Sequence, residues 1–223
     1  MNETINNTSD ISYISVKNLT KSFKKLTVIE DLSYDFKSGQ RIALVGQNGA
    51  GKTTLIRSIL GLYKYEGSID VLGYNPRTDR EIMLQEVGFV PQIPPPIEMT
   101  VGEMLEFFST LTNTDKQEFI DISEKLGLDV DANLNKPFMK LSGGMKQKLL
   151  VSFALGRKPK ILLMDEPAAN LDPKARTILF EYLQNYNNDA LMIISSHRID
   201  EVEGLVNRLV EMDMGKIVVD KAV

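Results

Sequence analysis

Residues 46–53, GQNGAGKT, place glycines, a lysine and a threonine at the spacing G-x-x-x-x-G-K-[ST]. Glycines at those places let the backbone curl until its N–H groups face an anion. A helix starting just behind such a loop adds a favourable dipole. Lys52 then supplies a mobile positive charge to β- and γ-phosphates, and the Thr53 hydroxyl a ligand for Mg²⁺. Gly46, Asn48, Gly49, Ala50, Gly51, Lys52, Thr53 and Thr54 are therefore the candidate phosphate-binding residues. A second group is ILLMDEP at 161–167, an apolar stretch ending in adjacent carboxylates. Asp165 is placed to reach a Mg²⁺ shell, and Glu166 to orient or deprotonate an attacking water. On its own an Asp-Glu-Pro run often just caps a strand; the phosphate loop in the same chain is what favours catalysis. A third group, LSGGMKQK at 141–148, sets Ser142, Gly143 and Gly144 at the start of a helix, a second anion-binding terminus. One nucleotide hardly needs two cradles from distant parts of a chain. The economical explanation is that the second serves a nucleotide bound to another copy.

These groups need rigid supports. RIALVG (41–46) reads as a short buried strand feeding the loop, with a helix over 52–60 behind it. ILLMD (161–165), LMIIS (191–195) and KIVVD (216–220) read as further strands, as do GSIDVLG (67–73) and GFVPQ (88–92). Segments 11–16 and 28–36 read as strands joined by a polar turn near Lys24–Lys25. The prolines of IPPPI (93–97) exclude helix and central strand, so this run reads as a rigid surface loop or a shaped contact for a partner. Beyond it the character is helical: two stretches in 101–128, then 142–156 with Ser142 as N-cap. Met99, Val101, Met104, Phe107 and Phe108 read as helix core rather than a docking groove. At 173–187, Ala175, Ile178, Leu179, Tyr182, Leu183 and Tyr186 recur on one helical face.

The bulk properties set limits. A length of 223 residues can bury a sizeable core, and 43% hydrophobic with 25% charged residues is ordinary for a globular protein. A net charge of −4 gives no electrostatic reason to expect nucleic acid as the ligand. Without cysteine, disulfides and thiolate metal sites are excluded. MNETINNTSD (1–10) has neither a basic nor an apolar region and reads as a loose polar leader, not a secretory signal. No apolar run approaches the roughly 18 residues of a spanning helix, so a cytoplasmic protein is expected.

From about residue 11 to 220 the chain resembles the nucleotide-binding subunits of ABC transporters, whose signature is usually written LSGGQ. Several motifs occur in that family's order, which makes the resemblance specific. It implies an α/β P-loop NTPase of ABC ATPase type: a mixed central sheet, an N-terminal antiparallel β-subdomain and an inserted α-helical subdomain. Residues 11–92 and 159–223 would form the RecA-like core, and 93–158 the helical subdomain carrying the signature. The resemblance further implies that Phe23 stacks on adenine with Val28 beside it, and that Gln92 touches Mg²⁺ and the attacking water. Ser142, Gly143 and Gly144 would close on the γ-phosphate across a head-to-tail dimer, Asp172 would couple the two sites, and His197 would reach the γ-phosphate. His197 is the only histidine, and a lone histidine is more often structural; its place after the LMIISS strand is what singles it out. Phe23 is less usual than Tyr at the stacking position, but any aromatic face can serve. Two departures stand out: Met145 where Gln is usual, and Ala168–Ala169 where a more polar stretch is usual. Neither removes a group needed for phosphate or water chemistry.

The expected function is thus an ATP-hydrolysing motor that binds Mg·ATP, dimerises, and works through a separate polytopic permease on the inner face of the cell membrane. The GGMKQK stretch resembles export systems more than importers. Two other functions fit the sequence less well. A P-loop kinase has no need of the signature, and an ABC-type clamp or adaptor would carry tandem units or a long coiled coil that this chain lacks. The chain ending at Val223 leaves no room for an added regulatory domain.

Overall fold

The computed structural model describes residues 11–197, 200 and 202–223; the polar leader lies outside the described residues. The chain forms two compact units, one of residues up to Glu86 with Asn187–Val223, the other Val87–Tyr186.

The first unit contains two sheets. Strands β1 (Ser12–Phe23), β2 (Leu26–Lys37) and β4 (Glu66–Val71) make an antiparallel sheet in the order β2-β1-β4. Both hairpin strands run longer than their alternation predicts. Along β1 the buried Ile14 and Val16 keep period 2, then the register shifts and the next core residue is Leu19. Asn18 and Asp31 both have left-handed φ, 50° and 49°, and Asn18 Nδ2 donates to Asp31 Oδ1 at 2.9 Å. Paired irregularities in facing strands hide the alternation without ending the strands. The second sheet places β3 (Arg41–Val45) between parallel β7 (Leu191–Ser195) and β8 (Arg208–Asp213), with β9 (Lys216–Ala222) antiparallel at β8. Ile42, Ala43, Leu44 and all of β7 are buried, as parallel strands covered on both faces require. Strand β8 went unread because charges alternate with its apolar residues, and the six-residue helix α2 (Arg80–Gln85) because it buries Met83 alone. Helix α1 (Lys52–Ile59) follows β3 through the glycine loop. Arg208 joins the two sheets: it grips Asp220 through Nε and a terminal nitrogen at 2.6 and 2.7 Å, and Nε also donates to the Tyr34 hydroxyl at 3.1 Å.

In the second unit β5 (Val87–Val90) pairs in parallel with β6 (Ile161–Asp165). Around an apolar cluster lie α3 (Val101–Thr112), α4 (Lys116–Lys125) and α5 (Gly143–Gly156). From Gln147 to Gly156 every residue of α5 is buried, the mark of a helix covered on all sides. Phe108 stacks on Phe153 at 4.3 Å, while Phe119 meets Phe153 edge-on at 5.2 Å. Val101 and Met104 are fully buried and Met99 and Phe108 pack on the cluster as expected, but Phe107 is 48% exposed. Its neighbour in sequence takes the inward position, which leaves Phe107 on the outer face of α3. The face predicted for α6 (Pro173–Gln184) buries Ala175, Leu179 and Leu183.

Helix α3 starts with a reciprocal cap. Thr100 Oγ1 accepts from Glu103 N at 3.2 Å, and the Thr100 backbone N donates to Glu103 Oε2 at 2.7 Å. That bond and the one from the Thr100 hydroxyl hold the Glu103 carboxyl below its usual range. Replacing Thr100 by Ala should lower stability by about 1 kcal/mol, seen as a shifted urea midpoint with unchanged slope.

Candidate functional site

The phosphate loop is built as its glycine spacing requires. Gly46, Gly49 and Gly51 have φ of 143°, 89° and 107°, values that side chains resist. A Cβ on Gly46 would lie 2.2 Å from the Met212 carbonyl oxygen, so this position is closed to any larger residue. Gly51 precedes α1, and the Leu55 N–H donates to its carbonyl at 2.8 Å. Gln47, Asn48 and Gly49 are exposed, Ala50 is buried, and Thr53 and Thr54 are half-buried on the first turn of α1. Lys52, 8% exposed, folds back over the loop and donates to the carbonyls of Gly46 at 2.6 Å and Gln47 at 3.2 Å. The ammonium is thereby held against the first two residues of the loop.

In the same unit Phe23 closes β1. Its ring is 39% exposed and meets Tyr63 edge-on at 5.1 Å, with Lys21 Nζ 4.4 Å from its centroid. Val28, half-buried, lies beyond the Lys24–Lys25 turn on β2. His197 stands exposed two residues past the end of β7.

The acidic pair and the signature segment belong to the second unit. Asp165 ends β6 and is 2% exposed. Glu166 follows with a left-handed φ of 52° and is half-buried, so the chain turns sharply at the second carboxylate. The Ala169 N–H donates back to the Glu166 carbonyl at 3.2 Å. Gln92 is exposed two residues beyond β5. Ser142 caps α5, its Oγ accepting from Met145 N at 3.3 Å. Ser142 and Gly143 are exposed, and a Cβ on Gly143 would meet nothing within 4 Å. A Cβ on Gly144 would lie 2.9 Å from the Asn170 carbonyl oxygen. Met145, in place of the usual Gln, packs against the apolar cluster. Asp172 caps α6 by accepting from Ala175 N at 2.9 Å and pairs with Lys148 at 2.8 Å. Lys148 first, then the Ala175 N–H, hold the Asp172 carboxyl below its usual range.

The occurrence in one chain of a glycine loop, a strand ending in carboxylates and a capped Ser-Gly-Gly helix narrows the field, and comparison with known proteins decides it. A model of the family described as "ABC transporter" matches residues 29–169. The chain belongs to that family.

Among ABC relatives, the chain is 33% identical over 212 residues to the linearmycin resistance ATP-binding protein LnrL of Bacillus subtilis. That match spans 92% of this chain and 68% of the relative. It is 32% identical over 213 residues to the lantibiotic transport ATP-binding protein SrtF of Streptococcus pyogenes, spanning 93% and 90%. A solved ATP binding subunit of an ABC transporter superposes with a TM-score of 0.84 at 26% identity, covering 95% of this chain and 90% of that one. The protein is an ATP-binding, ATP-hydrolysing ABC transporter subunit, with the α/β ABC ATPase fold its motifs predict. Among the described residues no helix is long and apolar enough to cross a membrane. The sequence alone did not single out Tyr63, Gln147 or Lys148. Gln and Lys inside a buried helix were a signal, since polar residues rarely face a core without a task.

Proposed function

We propose that two copies of this chain sandwich two Mg·ATP head to tail and drive export through a separate polytopic permease. The observation that carries this reading is the exposed Ser142–Gly143 start of α5, where the chain's own packing makes no demand for glycine at Gly143. A helix N-terminus left open beside a side-chain-free residue suits close approach by a phosphate held on another molecule. In this reading residues 11–92 and 159–223 are the ATP-binding core, and 93–158 the helical subdomain bearing the signature.

Each residue then has a task. Phe23 offers its exposed ring to adenine, with Val28 beside it. The amides of Gly46 to Thr53, with Thr54 behind them, hold the phosphates, and Lys52 turns its ammonium from the loop carbonyls toward the β- and γ-oxygens. Thr53, Gln92 and Asp165 fit Mg²⁺: they are hard oxygen donors, and this ion keeps several waters and takes few protein ligands. Bound there, Mg²⁺ neutralises charge on the phosphate oxygens. Glu166 takes a proton from the water that attacks the γ-phosphorus as the bond to the ADP oxygen breaks. His197 and Lys52 stabilise the developing charge. Ser142, Gly143 and Gly144 close on the γ-phosphate of the other copy, and Asp172 links the two sites.

Export is favoured by two relatives whose names speak of lantibiotic transport and linearmycin resistance. The permease contact falls at 92–104, including the proline run, and holds the subunit on the inner face of the cell membrane. Purification from the native host, followed by hydrolysis assays with and without the co-purifying proteins, tests this. A polytopic membrane protein that stimulates hydrolysis is the expected result. Stimulation by ribosomes or DNA, with no membrane partner, would overturn it.

A further inference from the structure

We infer that Gln147 and Lys148 are positioning residues for hydrolysis, holding the turn that presents Glu166 to its water. The inference rests on the assignment of Glu166 as the general base.

Gly144, Gln147 and Lys148 stand at i, i+3 and i+4 of α5, one above the other on a single face. Each meets the segment that follows Glu166. The bare Cα of Gly144 lies against the Asn170 carbonyl. Gln147 Nε2 donates to the Pro167 carbonyl at 3.1 Å. Lys148 Nζ pairs with Asp172 at 2.8 Å and also donates to the Gly127 carbonyl at 3.3 Å. The turn is thus gripped at its beginning, middle and end by one helix.

Two features mark this grip as more than packing. Gln147 is fully buried, yet its Oε1 has no hydrogen-bond partner. The Pro167 carbonyl can only accept, so the amide nitrogen faces it and the oxygen is left without a protein partner. A leucine of similar size would remove the unpaired oxygen but would leave the buried Pro167 carbonyl without its donor, so one unsatisfied group replaces another and stability alone does not single out the glutamine. The group it holds belongs to the residue directly after Glu166, whose left-handed φ is a conformation that persists only where neighbours impose it. Gln147 imposes it from one side, and the hydrogen bond from Ala169 N to the Glu166 carbonyl from the other.

The same helix begins at Ser142, so one buried rod carries both the exposed signature end and the anchors of the Glu166 turn. Displacement of that end is felt at the carboxylate through Gln147 and Lys148.

The test compares steady-state hydrolysis, nucleotide affinity and thermal midpoint for the purified full chain and its Gln147→Leu, Lys148→Met and Lys148→Arg variants, with Glu166→Gln alongside. Misplacing a reacting group slightly costs roughly tenfold to a hundredfold in rate. Gln147→Leu and Lys148→Met should lose kcat on that scale with KM and nucleotide affinity unchanged. The thermal midpoint of Gln147→Leu should stay within a few degrees of wild type, because the orphaned Pro167 carbonyl replaces the unpaired amide oxygen. Lys148→Arg should recover most of the rate because it keeps the pair with Asp172. Wild-type kcat in both variants, beside an inactive Glu166→Gln, would leave the base assignment standing and overturn the positioning role. Loss of rate matched by loss of nucleotide affinity or of folded protein would overturn it too. Wild-type turnover in Glu166→Gln would remove the base itself, and the positioning role with it.

Discussion

Replacing Glu166 by Gln should lower kcat for ATP hydrolysis by about 10²–10⁴, the range that a positioned general base contributes. The substitution keeps the volume, the length and the ability to accept hydrogen bonds, and removes only basicity. Glu166 lies half-buried on the turn after β6, with φ at 52°. Glutamine can adopt that backbone as well as glutamate can, so the strand and the adjoining Asp165 should stay in place. Nucleotide affinity should therefore be retained or improved, because ATP is bound and not turned over. Binding of a fluorescent ATP analogue, set beside phosphate release, separates the two quantities. A variant that hydrolyses at the wild-type rate would move the base elsewhere, with His197 the next residue to test.

Lys52→Met should have a comparably large effect, but on affinity. In the structure the ammonium donates to the Gly46 and Gln47 carbonyls at 2.6 and 3.2 Å. In the proposed complex it moves to the phosphates. A charge-assisted hydrogen bond contributes about 1.5–3 kcal/mol, so its loss alone weakens ATP binding roughly tenfold to a hundredfold. Methionine also leaves the two carbonyls without their donor, which loosens the ring of amides. Lys52→Arg should not restore affinity, since a broad planar guanidinium does not fit where a compact ammonium sits against the Gly46 and Gln47 carbonyls. Calorimetric titration with ATP reads both variants, and near-wild-type affinity in Lys52→Met would remove this lysine from the site.

What could be read from the sequence was local. The phosphate loop was legible because its parts lie within eight residues between a buried strand and a helix, and each glycine answers a backbone need. The Ser142 cap and the face of α6 were legible for the same reason: capping and helical periodicity act over a few residues. The extent of β1 and β2 was not. Asn18 and Asp31 interrupt the alternation while pairing with each other across the hairpin, and that pairing exists only after folding. Phe107 was placed in the core because it is aromatic and helical, yet a helix has one inward face and Phe108 occupies it. The bond from Gln147 to Pro167 spans 20 positions in the chain, and no local pattern announces it. Sequence motifs named the groups proposed to do chemistry; the contacts around them emerged only from packing.

The joint between the two sheets of the first unit has a consequence for where this protein can work. Arg208 spans it, held on Asp220 and on the Tyr34 hydroxyl. The bidentate bond to Asp220 raises the Arg208 pKa further above its ordinary value, so that charge is permanent. Burial raises the Tyr34 pKa, which keeps the phenol protonated; its contribution is complete below the unfolded value of about 10 and fades only as pH climbs past the folded one. The joint is thus fastened by a cation that does not discharge and a phenol that does not ionise near neutrality. A swing in acidity around neutrality leaves the seating of one sheet on the other unaltered. Ionic strength reaches it only weakly, through an ion pair less than one-third exposed on either side.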